Sequence, residues 1–131
     1  MRSQNLEVVI TTVETRTKVG GDFFEETASD GGLYLAVRWN YKNISSKPIN
    51  MFNQAKIHLI APDGTQYNED LGASAAYASQ FNIDEKVLSD LNPGIKVNSA
   101  TVFEVSREAL SDPSRWSLVV EGDSTMKVKL K

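Results

Sequence analysis

Histidine occurs once in this chain, at position 58, and cysteine does not occur at all. Those two facts bound the chemistry first. Without cysteine there is no disulfide, no thiolate metal site and no cysteine nucleophile. His58 has no G-x-S-x-G elbow to serve, so a Ser-His-Asp relay would need partners converging from elsewhere in the chain. As a metal ligand it would have only carboxylates for company. A structural or solvent-facing histidine is the expectation. Carboxylates gather twice, as Asp22, Glu25, Glu26 and Asp30 in "GGDFFEETASDGG" and as Asp63, Glu69 and Asp70 around "PDGTQY". Ca²⁺ takes many oxygens from loops turned by glycine. The first cluster is therefore the candidate cation site, with Asp22, Glu25, Glu26 and Asp30 as its ligands. Its spacing is not the D-x-[DN]-x-[DN]-G of an EF-hand, and the competing reading is a solvated acidic loop. The same loop has glycines but neither the lysine nor the strand-to-helix setting of a phosphate cradle. A paired-carboxylate glycosidase needs a fixed separation across a cleft, of which the spacing carries no sign.

Aromatic side chains are the other candidates. Phe23 and Phe24 are neighbours, so in extended chain they face opposite ways, and an exposed one in a glycine-bounded loop suits a partner contact. Tyr77 sits in "LGASAAYASQFN" (residues 71–82), a weakly patterned, small-residue stretch that reads as the longest loop. Phe23, Phe24 and Tyr77 are the expected partner-binding residues. Trp39 and Trp116 fall on core faces by periodicity. Asn43-Ile44-Ser45 fits the glycosylation triplet, which is silent in a bacterial source.

The elements that must hold these residues are mostly strands. "LYLAVRWNYKN" alternates Leu33, Leu35, Val37, Trp39 and Tyr41 against Tyr34, Ala36, Arg38, Asn40 and Lys42, predicting one face on a core and one toward water. Residues 6–13, 55–61, 98–106 and 115–122 supply further strands, several rich in β-branched residues. The closing segment sets Met126, Val128 and Leu130 against Lys127, Lys129 and Lys131, lysines being what protects an edge. Pro62-Asp63-Gly64 predicts a hairpin turn. Asn92-Pro93-Gly94 predicts a tight turn into a strand, since a linker would bring a longer polar run. Short helices are expected after Ser106, ended by Pro113, and over residues 82–91 with Asp84 as cap.

At 131 residues, 40% hydrophobic and 24% charged, the chain suits one domain, residues 1–131, with its own core. A net charge of −3 is the wrong sign for a nucleic-acid surface. No apolar run approaches the ~20 residues of a membrane helix. No signal peptide precedes the first strand, which leaves open a cytoplasmic protein or a chain whose leader has been removed. Strands without βαβ alternation predict an all-β sandwich of about seven to eight antiparallel strands with one or two short helical connections.

"KVGGDFFEETASDGGLYLAVRWNYKN", then "APDGTQY", then "LNPGIKVNSATVFEVS", in that order, resemble the bacterial immunoglobulin-like domain of unknown function found in surface lipoproteins of Gram-positive bacteria. The resemblance runs from about Leu6 to Val120 and extends to a mycobacterial secreted antigen. It implies an immunoglobulin-like sandwich, exported to the cell surface, with no established activity and no cofactor. The lipobox cysteine of such lipoproteins is absent. The expected function is a non-enzymatic module that binds a protein or cell-envelope partner, with a Ca²⁺-binding module as the alternative.

Overall fold

The structure, a computed structural model, describes residues 2–21, 24–50, 55–83, 90–121 and 125–130. The side chains of Thr125, Met126 and Lys129 are not among what it describes. In chain order the elements are β1 (Leu6–Arg16), β2 (Lys18–Gly20), β3 (Glu25–Thr27), β4 (Gly32–Asn43), β5 (Lys56–Ile60), β6 (Gln66–Tyr67), α1 (Leu71–Gln80), β7 (Lys96–Ser106), β8 (Ser117–Glu121) and β9 (Thr125–Lys129). They form two antiparallel sheets, β1-β4-β7 and β6-β5-β8-β9, with β2 and β3 as a separate hairpin.

The two sheets face each other across one apolar cluster. Leu35, Val37, Trp39 and Tyr41 of β4 meet Ile57 and Leu59 of β5 and Leu118 and Val120 of β8 there, with Leu6, Val8, Val97, Phe103 and Val105 completing it. Every second residue along β4, β5 and β8 points into that cluster, which is the arrangement of a β-sandwich. The indole N–H of buried Trp39 donates to the Thr101 hydroxyl at 3.1 Å, so the core's widest ring leaves no unpaired donor. Asn92-Pro93-Gly94 is the expected turn: Gly94 holds φ +81° and its N–H donates to the Asn43 carbonyl at 2.8 Å on the way into β7. The hairpin at Pro62-Asp63-Gly64 also forms, pairing Leu59 with Tyr67.

Three expectations need correction. The stretch 71–82 is not a loop but helix α1, which covers part of the outer face of β1-β4-β7. Consequently the second face of β4 is not uniformly wet. Tyr34 and Ala36 are buried with Ala100 and Val102 of β7 beneath Ala73, Ala76 and Tyr77 of the helix. The segment after Ser106 makes only a single turn, Ser106 Oγ accepting from Ala109 N, followed by a 3₁₀ turn at Pro113–Arg115. The expected helix over 82–91 falls mostly on residues outside those described, Asp84 among them.

Candidate functional site

Helix α1 forms where its sequence is alanine-rich and capped. The Asp70 carboxylate accepts from the Ala73 N–H at 3.0 Å, satisfying one of the donors that a helix start leaves bare. Its buried positions, Ala73, Ser74, Ala76 and Tyr77, follow the i, i+3, i+4 spacing of one helical face. Three of the four are small, so the helix lies close to the sheet. Ser74 Oγ then accepts from the Val102 N–H at 2.9 Å, and Asp70 N–H donates to the Val102 carbonyl at 2.8 Å. The helix thereby occupies polar groups on the outer edge of β7, which a bare edge would offer to other chains.

The helix is held by a polar lock. A register shift between Ile10 and Thr12 brings Glu14 and Arg16 onto the helix side of β1, opposite Ala36 and Tyr34. The Tyr77 hydroxyl donates to Glu14 Oε2 at 2.6 Å and accepts from Arg38 Nε at 3.2 Å. Arg16 binds the other Glu14 oxygen at 2.8 Å and reaches Gln80 Oε1 at 3.2 Å. Gln80 also accepts from the Gly20 N–H at 3.0 Å, fastening the β2-β3 hairpin to the same helix. The Arg38 guanidinium lies 3.9 Å from the centre of the Phe81 ring, a cation–π contact, and Phe81 meets Tyr77 edge-on at 5.1 Å. Burial, then the bond to Glu14, pushes the Tyr77 hydroxyl up to about 12. Burial also pushes the Glu14 carboxyl up, but Tyr77, Arg16 and Arg38 outweigh it and hold that carboxyl below its ordinary value.

Past Phe81 the helix ends, with Asn82 in the left-handed region at φ 56°, and the sheet face changes character. From Arg38 onward β4 alternates buried and half-buried residues, and the helix-side positions become Arg38, Asn40 and Lys42, paired with Ala100, Asn98 and Lys96 of β7. Two adjoining depressions occupy this ground. One, of about 200 Å³, is bounded by Thr11, Arg38, Asn40, Phe81, Ile83 and Asn98. The other, of about 230 Å³, continues past Ile83 and Asn98 to Ile95 and Lys96. Among the described residues neither has a carboxylate in its lining. A third, shallower groove of about 410 Å³ runs along the other flank of α1, between Leu71, Ser74 and Ala78 and the Ala100 position of β7.

The residues expected to act are not brought together. Tyr77 is fully buried and spent in the lock, so it is no surface contact. Phe24 is exposed in the β2-β3 turn, while Phe23 lies outside the described residues, as does Asp22. Glu25 and Glu26 are successive residues of β3 and so point to opposite faces. Glu25 faces Lys18 at 3.9 Å, and Asp30 is exposed in the following turn. Among the described residues no three metal-binding side chains converge. His58 Nε2 pairs with Glu121 at 3.0 Å on the outer face of the four-stranded sheet, and its Nδ1 is buried with no partner among the described residues. Asn43 is fully buried, its carboxamide donating to the Lys47 and Leu91 carbonyls at 2.8 Å each, which removes it as a glycan acceptor. The residues that sequence reasoning passed over are Arg38, Asn40, Lys42, Lys96 and Asn98. Their signal was the switch of the second face from Tyr34 and Ala36 to Arg38, Asn40 and Lys42.

A two-sheet sandwich with a helix over half of one outer face and a polar trough beside it defines the class. The chain belongs to the family described as "Domain of unknown function (DUF4352)", which matches residues 1–125. It is 41% identical over 130 residues to the uncharacterized protein YxkC of Bacillus subtilis (strain 168), spanning 98% of this chain and 72% of that one. A conserved hypothetical protein from Bacillus anthracis superposes with a TM-score of 0.84 at 22% identity, over 98% of this chain and 90% of that one. The candidate lipoprotein ycdA of Bacillus subtilis subsp. subtilis str. 168 superposes at 0.59 with 18% identity, over 97% of this chain but 37% of its own. At these identities the structural likenesses establish the sandwich fold alone.

Proposed function

We propose that this chain is a non-enzymatic, immunoglobulin-like binding module of the bacterial cell surface, a single domain that docks a protein or another envelope component. The observation that carries the reading is the open half of the β1-β4-β7 face. Helix α1 covers the sheet up to Phe81, and beyond it Arg38, Asn40 and Lys42 of β4 pair with Ala100, Asn98 and Lys96 of β7, with Val9 and Glu7 of β1 opposite Asn40 and Lys42. Around its two depressions stand Arg38, Asn40, Asn98 and Lys96, a set of donors able to meet a polar partner. The resemblance to surface lipoprotein domains supports the compartment.

The test is co-sedimentation of the purified chain with washed bacterial envelopes. Saturable retention is expected, with loss in the Lys42→Glu/Lys96→Glu variant at unchanged thermal stability, because neither lysine is buried. Phe24→Ala, run in parallel, reads any contribution of the β2-β3 turn. Absence of saturable retention, or equal retention of the double variant, overturns the reading.

A further inference from the structure

We infer that the trough between Phe81–Ile83 and the start of β7 binds a carboxylate carried on a peptide-like stem, with Arg38 as the carboxylate's partner. This rests on the binding-module reading above and gives it a ligand class.

The argument begins with Arg38. Among the described residues one of its five N–H groups is hydrogen-bonded, Nε on the Tyr77 hydroxyl. Its nearest carboxylate, Glu14 Oε2, is 4.0 Å from Nη2, beyond hydrogen-bond range. Glu14 is already engaged more closely by Tyr77 and Arg16. Counting Arg16, Arg38 and Glu14 together leaves one positive charge over. The guanidinium is nonetheless fixed, by the Phe81 ring on its face and by Tyr77 at Nε. A charged fork that is held still and whose terminal donors are unclaimed is prepared for a planar, bidentate anion.

Its surroundings narrow the class. Asn40 and Asn98 are cross-strand partners on the same face, and each carboxamide offers both a donor and an acceptor. A fully deprotonated oxyanion has no use for the acceptors, whereas the amide beside a peptide's terminal carboxylate uses both. Phe81 and Ile83 form an apolar wall. The volume of about 200 Å³ suits a single residue-sized group. Lys96 stands four residues before Ala100, the partner of Arg38, hence about 13 Å along the strand. The continuing depression at Lys96 therefore accommodates the preceding residue of an extended ligand, and an acidic one there gains a second ion pair. Glu7 is the carboxylate nearest in register, opposite Lys42, and it is bound to Arg2 at 2.6 Å. Among the described residues the ground is thus net positive, so the charge complement is an anion.

The probe is an N-acetylated dipeptide with a free C-terminal carboxylate, titrated into the ¹⁵N-labelled chain, beside its C-terminal amide and inorganic phosphate. Saturable shifts are expected at the Arg38, Asn40 and Asn98 resonances, with the amide form at least about tenfold weaker, the value of one charge-assisted hydrogen bond. Arg38→Gln also removes part of the helix lock, so the deciding variant is Asn98→Asp at an exposed position. It places a carboxylate beside Arg38 and is expected to abolish binding while leaving the fold intact. Equal binding of the amide, or of phosphate, overturns the carboxylate assignment while the trough stands as a docking surface. Unchanged binding by Asn98→Asp removes the site itself. No binding of any probe, with envelope retention preserved, sinks this inference alone; loss of both sinks the binding-module reading with it.

Discussion

Tyr77→Phe removes one oxygen from the structure and tests the lock that sets where helix α1 ends. The hydroxyl is fully buried and donates at 2.6 Å to a carboxylate whose side chain keeps 28% of its exposure. A hydrogen bond to a charged group contributes about 1.5–3 kcal/mol when dry, and partial hydration of Glu14 brings the expectation to about 1–2 kcal/mol at pH 7. The same geometry fixes how that difference varies with pH. Burial and then Glu14 raise the Tyr77 hydroxyl from 10.0 to about 12. An acid whose folded value lies above its unfolded one stabilises fully below the unfolded value and loses that contribution as pH rises. By pH 11 the wild type has lost about 1.4 kcal/mol that phenylalanine never had. The two stability curves should therefore meet near pH 11.

At the acid end the sign reverses. Burial works against Glu14's charge, yet Tyr77, Arg16 and Arg38 together hold its carboxyl below 4.5. Its contribution is present above that value and fades as pH falls through the lower folded one. Losing the Tyr77 bond weakens this term, so the wild-type advantage also narrows below about pH 4.5. Urea unfolding followed by the fluorescence of buried Trp39 and Trp116 measures both limbs. A variant as stable as wild type at pH 7, or a gap constant from pH 4 to 11, would refute the reasoning.

The remaining expectations are simpler. Asn43→Ala leaves the Lys47 and Leu91 carbonyls without their donor and strips the Ser45 acceptor, so urea melts should show a loss of about 2–4 kcal/mol. Thr101→Val keeps the shape but orphans the Trp39 indole N–H, for about 1–2 kcal/mol, with a shift in tryptophan emission as the second readout. Gly20→Ala forces a side chain at φ +112°, where its Cβ collides with the Phe24 carbonyl; a cost of about 1–3 kcal/mol and lost amide protection at Gly20 should follow.

What was legible in the sequence was the part governed by period two. The inward set on β4 from Leu35 to Tyr41, the turn at Pro93-Gly94 and the hairpin at Asp63-Gly64 all stand where alternation and turn chemistry place them. Helix α1 was missed because its buried face is built from Ala73, Ser74 and Ala76, which carry almost no hydrophobic contrast against Gly72, Ala75 and Ser79. Alanine-rich composition behind an Asp70 cap was the available sign. Tyr77 was misplaced for the same reason, its burial being decided by a helix the pattern did not announce. The trough was missed because Arg38 and Asn98 lie 60 residues apart and meet only through the β4-β7 register.

The boundary between buried and open sheet is nevertheless written into β4 itself. An outer face that begins with Tyr34 and Ala36 demands a cover, because burying a tyrosine and matching it with Ala100 and Val102 contributes only if water is excluded. A face that continues as Arg38, Asn40 and Lys42 forbids the same cover, since desolvating those groups without partners would cost more than packing returns. The helix must therefore stop at Arg38, and the residue at the border has to serve both sides. Arg38 does so: its Nε and ring face meet Tyr77 and Phe81, while the same side chain lines the open trough. The position of the candidate site thus follows from where the apolar half of one strand ends.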